Sequence, residues 1–190
     1  MSAQDTSTLL LDAAQTLVQE RGYNAFSYKD LESAVGIRTA SIHYHFSSKA
    51  DLGAALMLRY LERLEAGLEQ IGAKGRTGWG ALKAFIDMYR TAERAGAVCL
   101  CGSLASDQHT LPEKVQVPVT AYIERSEAWV EQTIHTAVNN GELGFAGKPT
   151  DAARTLVASL QGGLILSRAQ GGPRAIDDIQ RLFEGLLMPA

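Results

Sequence analysis

The sequence predicts an all-α protein. A three-helix N-terminal domain over residues 1–52 contains a helix-turn-helix, and a larger helical domain follows over 53–190. Three observations predict this. Apolar residues recur at i, i+3, i+4 and i+7 along most of the chain, while period-two alternation is scarce. Glycine-rich punctuation, such as Gly72 to Gly78, Asn140-Gly141 and Gly171-Gly172-Pro173, cuts the chain into helix-length pieces. Two short helical patterns are also separated only by Gly36-Ile37-Arg38, the spacing of a helix-turn-helix.

Taken in order, the first helix is expected over about 6–21, with Leu10, Ala13, Ala14, Leu17 and Val18 on its buried face and Gly22 as its stop. Helix two begins at Ser27, where Ser27-x-x-Asp30 reads as a capping box, with Leu31, Ala34 and Val35 inward. Helix three covers about 39–45. Helix four follows a second box, Ser48-x-x-Asp51, and runs to about 71. Helix five spans about 79–94, with Leu82, Phe85, Ile86 and Tyr89 inward, and a short helix is expected over about 103–108. Helix seven spans about 112–140 and tolerates Pro118 because it falls near the start. Helix eight, about 150–170, contains Gly162-Gly163, which costs about 1 kcal/mol per glycine relative to alanine and so implies close approach of another helix. Helix nine, about 174–187, is apolar on nearly two faces, a surplus that suggests a subunit interface.

Composition narrows the class. At 46% hydrophobic and 21% charged residues, the chain is ordinary for a globular protein. Its two cysteines stand two positions apart and imply no disulfide framework. A reducing, cytoplasmic setting is the expectation, with no signal peptide and no membrane span. Net charge is −3, and residues 1–52 hold four basic residues against six acidic ones. Non-specific affinity for nucleic acid is therefore expected to be weak. No catalytic signature is present: there is no nucleophile elbow, His-Glu-x-x-His, phosphate loop or dinucleotide glycine pattern. The chain reads as a non-enzyme with no cofactor. His43-x-His45 is no metal site, since residues two apart on a helix diverge by about 200°, and no Cys or acid partner stands nearby.

Helix three is the informative stretch. Ile42 and Phe46 are apolar anchors one turn apart, and Arg38, Thr39, Ser41, His43, Tyr44 and His45 surround them. A short helix with one thin buried edge and a wide polar face is built for insertion into something. These residues, with Leu10-Leu11-Asp12-Ala13-Ala14, Arg21-Gly22-Tyr23, Ala34-Val35-Gly36-Ile37 and Ile42 through Leu52, resemble the DNA-binding domain of the TetR family of bacterial transcriptional regulators. Family members usually carry Ser or Thr at position 38, Gly at 40 and Tyr at 43, so this chain's operator should differ from those of its relatives.

The resemblance implies a homodimeric, ligand-responsive regulator that binds double-stranded DNA, with repressor action expected. Thr39, Ser41, His43 and Tyr44 would face the major groove, and Arg38, instead of capping the helix, would reach a phosphate or take a guanine bidentately. Ser27, Tyr28, Lys29, His45 and Lys49 would meet phosphates. Dimerisation through about 150–187 would place two recognition helices about 34–36 Å apart on a near-palindromic operator. An unidentified small-molecule effector would bind among helices four to eight, with Phe85, Met88, Tyr89, His109, Tyr122 and Trp129 as candidate lining. Cys99 and Cys101, just before the predicted short helix, admit two readings. They are small buried residues, or one is the sensing thiol of an oxidant- or electrophile-responsive member of this fold. A helical thiol oxidoreductase using the same Cys-x-Cys pair is the rival from another class.

Overall fold

The computed structural model describes residues 3–188. Among them are nine α-helices, one 3-10 turn and no strand. They are α1 (Ala3–Arg21), α2 (Tyr28–Val35), α3 (Thr39–His45), α4 (Lys49–Ala73), α5 (Gly78–Arg94), α6 (Leu100–Ser106), the 3-10 turn Gln108–Thr110, α7 (Glu113–Asn139), α8 (Pro149–Gln170) and α9 (Ala175–Leu187). The chain forms two compact units: residues up to Arg63 with Leu100–Ala121, and Leu64–Cys99 with Tyr122 onward. The division does not follow a single linear cut at residue 52, because the segment Leu100–Ala121 joins the N-terminal helices.

In the first unit, Leu10, Ala14, Leu31, Ile42, Leu52, Leu56 and Met57 form a core with almost no exposed surface. Each fully buried Leu or Ile contributes about 1.5–3 kcal/mol. α1 ends where Gly22 adopts a positive φ and its N–H bonds Val18 O at 2.9 Å. Ala34, expected inward, is exposed, so α2 packs on a narrower edge of Leu31 and Tyr28. α6 begins at Leu100, earlier than expected, and ends at Ser106. α6 and the segment after it are tied to the N-terminal segment by polar contacts. Ser103 Oγ donates to Val18 O at 3.0 Å, Asp107 Oδ2 accepts from Tyr23 N–H at 3.2 Å, and Asn24 Nδ2 donates to Thr110 Oγ1 at 2.7 Å.

In the second unit, α5, α8 and α9 pack on one another. The two central glycines of α8 have different surroundings. A Cβ at Gly163 would lie 2.9 Å from Ile179 Cδ1 and 3.2 Å from Ala175 Cβ, so the close approach inferred from sequence is that of α9. A Cβ at Gly162 would meet nothing within 4 Å. Glu93, although buried, is satisfied. It accepts from Ser167 Oγ and from the N–H groups of Arg174 and Ile176 at the start of α9. α9 buries Ile176, Phe183 and Leu187 but leaves Leu182 61% and Leu186 52% exposed. No described helix is long and apolar enough to cross a membrane.

Candidate functional site

The site is built by the turn between α2 and α3. Ser27 caps α2: its N–H and hydroxyl both bond Asp30 Oδ2, at 2.7 and 2.6 Å, which holds the Asp30 carboxyl below its ordinary range. Gly36 ends α2 in the left-handed conformation, φ 76, donating to Glu32 O at 2.8 Å. Only glycine adopts that turn without cost. Arg38 occupies the N-cap of α3 and makes no side-chain cap. Glu32 supplies it instead, its Oε2 accepting from Thr39 N–H at 3.0 Å and from the Thr39 hydroxyl. Those bonds, the hydroxyl's first, lower the Glu32 pKa.

α3 is pinned by Ile42, fully buried, and Phe46. Its outer face carries Arg38, Ser41, His43 and Tyr44, all exposed, with Tyr44 at 81%. His45 is half-buried and meets the Tyr44 ring edge-on at 5.2 Å. His43 packs against Tyr28, ring centroids 4.8 Å apart, and its Nδ1 lies 3.1 Å from Ser47 O. Lys29 and Ser27 are exposed on the flank.

Three residues expected to reach nucleic acid are used differently. Tyr28 is buried and its hydroxyl donates to Phe46 O at 2.9 Å, so it ties α2 to the end of α3 and is not free for a phosphate. Burial first, then the charge of Asp51, pushes its pKa up to about 12. Lys49 turns inward: Nζ donates to Phe26 O at 2.5 Å and sits 4.4 Å and 4.6 Å from the Phe26 and Tyr23 ring centroids. Desolvation lowers its pKa. The Thr39 hydroxyl is committed to Glu32, leaving only its acceptor side and methyl for a base. Sequence reasoning missed Glu32, whose signal was an acid seven residues before a threonine that starts a helix.

The second box forms around Asp51. Its carboxylate accepts from Lys114, Ser47 and Ser48, while its N–H bonds Ser48 Oγ at 3.1 Å. These contacts, Lys114 first, hold the Asp51 carboxyl far below its ordinary value. A depressed folded-state pKa contributes stability that is complete above the unfolded value, about 4, and is lost as pH falls below it. Asp51→Asn is therefore expected to melt below wild type at pH 7, with the two melting points converging toward pH 2. A gap that persists in acid would show that Asp51 acts by packing alone.

In the second unit, Phe85 stacks on Trp129 (5.5 Å, 26°) and lies 5.5 Å from Tyr89. Tyr122 is buried, and the Met88 methyl crowds Gly67. Gln161, which sequence reasoning passed over, joins this cluster from α8. Its Nε2 donates to Tyr89 Oη and Cys99 Sγ, both at 3.4 Å, and its Oε1 is buried with no hydrogen-bond partner. The available signal was a lone amide four residues after Val157, within the buried stripe. Trp129 also lines a cavity of about 250 Å³ with Ile71, Arg76, Thr133 and Asn140. His109 is exposed on the 3-10 turn and belongs to the first unit, whereas the other members of this set belong to the second.

Cys101 lies inside the first turn of α6, not before it, and Cys99 immediately precedes that helix. They are 0% and 3% exposed; Cys101 Sγ donates to Val119 O at 3.6 Å and Cys99 Sγ accepts from Gln161. Reactive thiols need partial exposure in an electropositive setting, and burial of this kind favours the structural reading of both. Among the described residues, no group of three His, Cys, Asp or Glu side chains is arranged to hold a metal.

A helix-turn-helix followed by a helical unit whose α8 and α9 leave Ile165, Leu166, Leu182 and Leu186 exposed fits a class of DNA-binding regulator. Residues 10–56 match the family model of bacterial regulatory proteins of the tetR family, and residues 78–183 match the tetracyclin repressor-like C-terminal domain. The fold matches that of a TetR-family transcriptional regulator from Agrobacterium tumefaciens, with a TM-score of 0.94 and 30% identity over 99% of this chain and 100% of that one. The transcriptional repressor KstR2 of Rhodococcus jostii is 34% identical over 90 residues, 44% of each protein. The transcriptional regulator AcuR of Cereibacter sphaeroides is 23% identical over 180 residues, 92% of this chain and 81% of that protein. The chain belongs to the TetR family of bacterial transcriptional regulators.

Proposed function

We propose that this regulator is a homodimeric repressor that binds a near-palindromic operator through α3 and leaves it when a small molecule occupies the second unit. The observation that carries the reading is the outer face of α3. Arg38, Ser41, His43 and Tyr44 are exposed on a helix whose other contacts are all spent on holding it in place. Side chains of these types hydrogen-bond base edges in the major groove. Lys29 and Ser27 are the flanking groups left for phosphates, and His45 is the partly available third. With so few cations, affinity should rest on base contacts and fall only shallowly with added salt.

The effector site is the Phe85, Tyr89 and Trp129 cluster with Gln161. Apolar aromatic walls with one unpaired acceptor suit a mainly apolar ligand bearing a hydrogen-bond donor. Release then follows if the ligand binds a dimer arrangement whose α3 helices no longer fit the operator.

The test uses purified protein on DNA from its own upstream region. Arg38→Ala and Tyr44→Ala should each lower specific affinity about tenfold or more, which is the scale of 1–3 kcal/mol per good base contact. Their unfolding transitions should match wild type, since neither side chain is buried. Wild-type operator affinity in both variants would sink the reading.

A further inference from the structure

We infer that His43 determines operator specificity by accepting a hydrogen bond at Nε2 from the exocyclic amine of adenine or cytosine in the major groove. The inference rests on the proposed DNA reading and specifies its chemistry.

The argument starts at Ser47. Its carbonyl oxygen can only accept, and it lies 3.1 Å from His43 Nδ1. In the neutral ring the proton must therefore sit on Nδ1, which leaves Nε2 as a lone-pair acceptor. The Ser47 carbonyl is itself held in place, because the Ser47 hydroxyl bonds Asp51 at the start of α4. The ring face is fixed independently. It packs on Tyr28 at 4.8 Å, and Tyr28 is anchored by its own bond to Phe46 O. Two contacts thus set the orientation of an exposed imidazole before any DNA arrives, and only Nε2 is left to read. Exocyclic amines at adenine N6 and cytosine N4 are the donors that the major groove offers to an acceptor, whereas guanine offers acceptors at N7 and O6. A tyrosine hydroxyl, by comparison, can donate or accept. A histidine in this tautomer can only accept, which is a narrower readout.

Selection of binding sites from a random duplex library with the wild-type protein comes first. Failure to enrich any palindrome overturns the DNA reading and this inference together. His43→Phe, which keeps a ring against Tyr28, is then selected in the same way. One base pair per half-site should lose its preference, and that pair should present adenine or cytosine to α3. Replacing that base with its analogue lacking the exocyclic amine (purine or 2-pyrimidinone) should lower wild-type affinity about tenfold and make no difference to His43→Phe. His43→Gln, whose amide oxygen can accept at similar reach, should retain the preference. Three outcomes overturn the inference while leaving the DNA reading intact: an unchanged preference in His43→Phe, a lost position that proves to be guanine, or weaker binding with no change in preference, as a phosphate contact would give.

Discussion

Replacing Leu182 and Leu186 together with glutamate is expected to yield a folded monomer whose operator affinity is at least about a hundredfold lower. The two leucines lie one turn apart on α9 and are 61% and 52% exposed. On α8, Ile165 and Leu166 are 49% and 57% exposed, and Gly162 has open space where its Cβ would be. Large apolar side chains beside a small one are the makings of a close helix–helix interface. Burying two carboxylates there without partners is costly. A monomer holds one half-site at a time, so the multiplication of affinity from simultaneous engagement is lost. Sedimentation of the variant should report the monomer mass with unchanged helix content. A variant that still sediments as a dimer would move the interface elsewhere.

Glu93→Ala is expected to lower stability by about 3 kcal/mol, because it leaves a buried hydroxyl and two N–H groups without their acceptor. For a chain of 190 residues that corresponds to about 6–12 °C in melting temperature. The effect should concentrate at α9, whose own N-cap residue, Arg174, supplies no side-chain cap. Glu93 provides the negative charge that a helix N-terminus favours, from a different helix. Glu93→Gln keeps one accepting oxygen and should recover part of the loss. An alanine variant that melts within a degree or two of wild type would show that water replaces the carboxylate. Because α9 carries Leu182 and Leu186, the alanine variant should also dimerise less tightly.

Both predictions concern features only partly legible in the sequence. The helices were legible, because glycines and caps punctuate a strong three-to-four periodicity, and the bounds of α3 were expected as observed. The surplus apolar surface of α9 was also visible in its pattern. What one helix's pattern cannot show is which distant group completes it. Glu93 stands in the sequence as one more acid near the end of α5, and nothing local announces Ser167 or the start of α9. Tyr28 and Lys49 were expected at phosphates because the family resemblance implies that role. Their actual partners, Phe46 O and Phe26 O, are backbone carbonyls, and the sequence does not show where backbone carbonyls are left open. The cysteines were ambiguous for the same reason, since burial is a tertiary property. His109, a candidate for the effector lining, lies in the other unit.

A protection footprint on DNA upstream of the protein's own coding region tests the central claim most directly. The account predicts two protected half-sites related by a dyad, with major-groove protection centred about 34–36 Å apart, and predicts that Tyr44→Ala needs about tenfold or more protein to protect either. Uniform protection without half-sites, or a footprint unchanged in Tyr44→Ala, would contradict it.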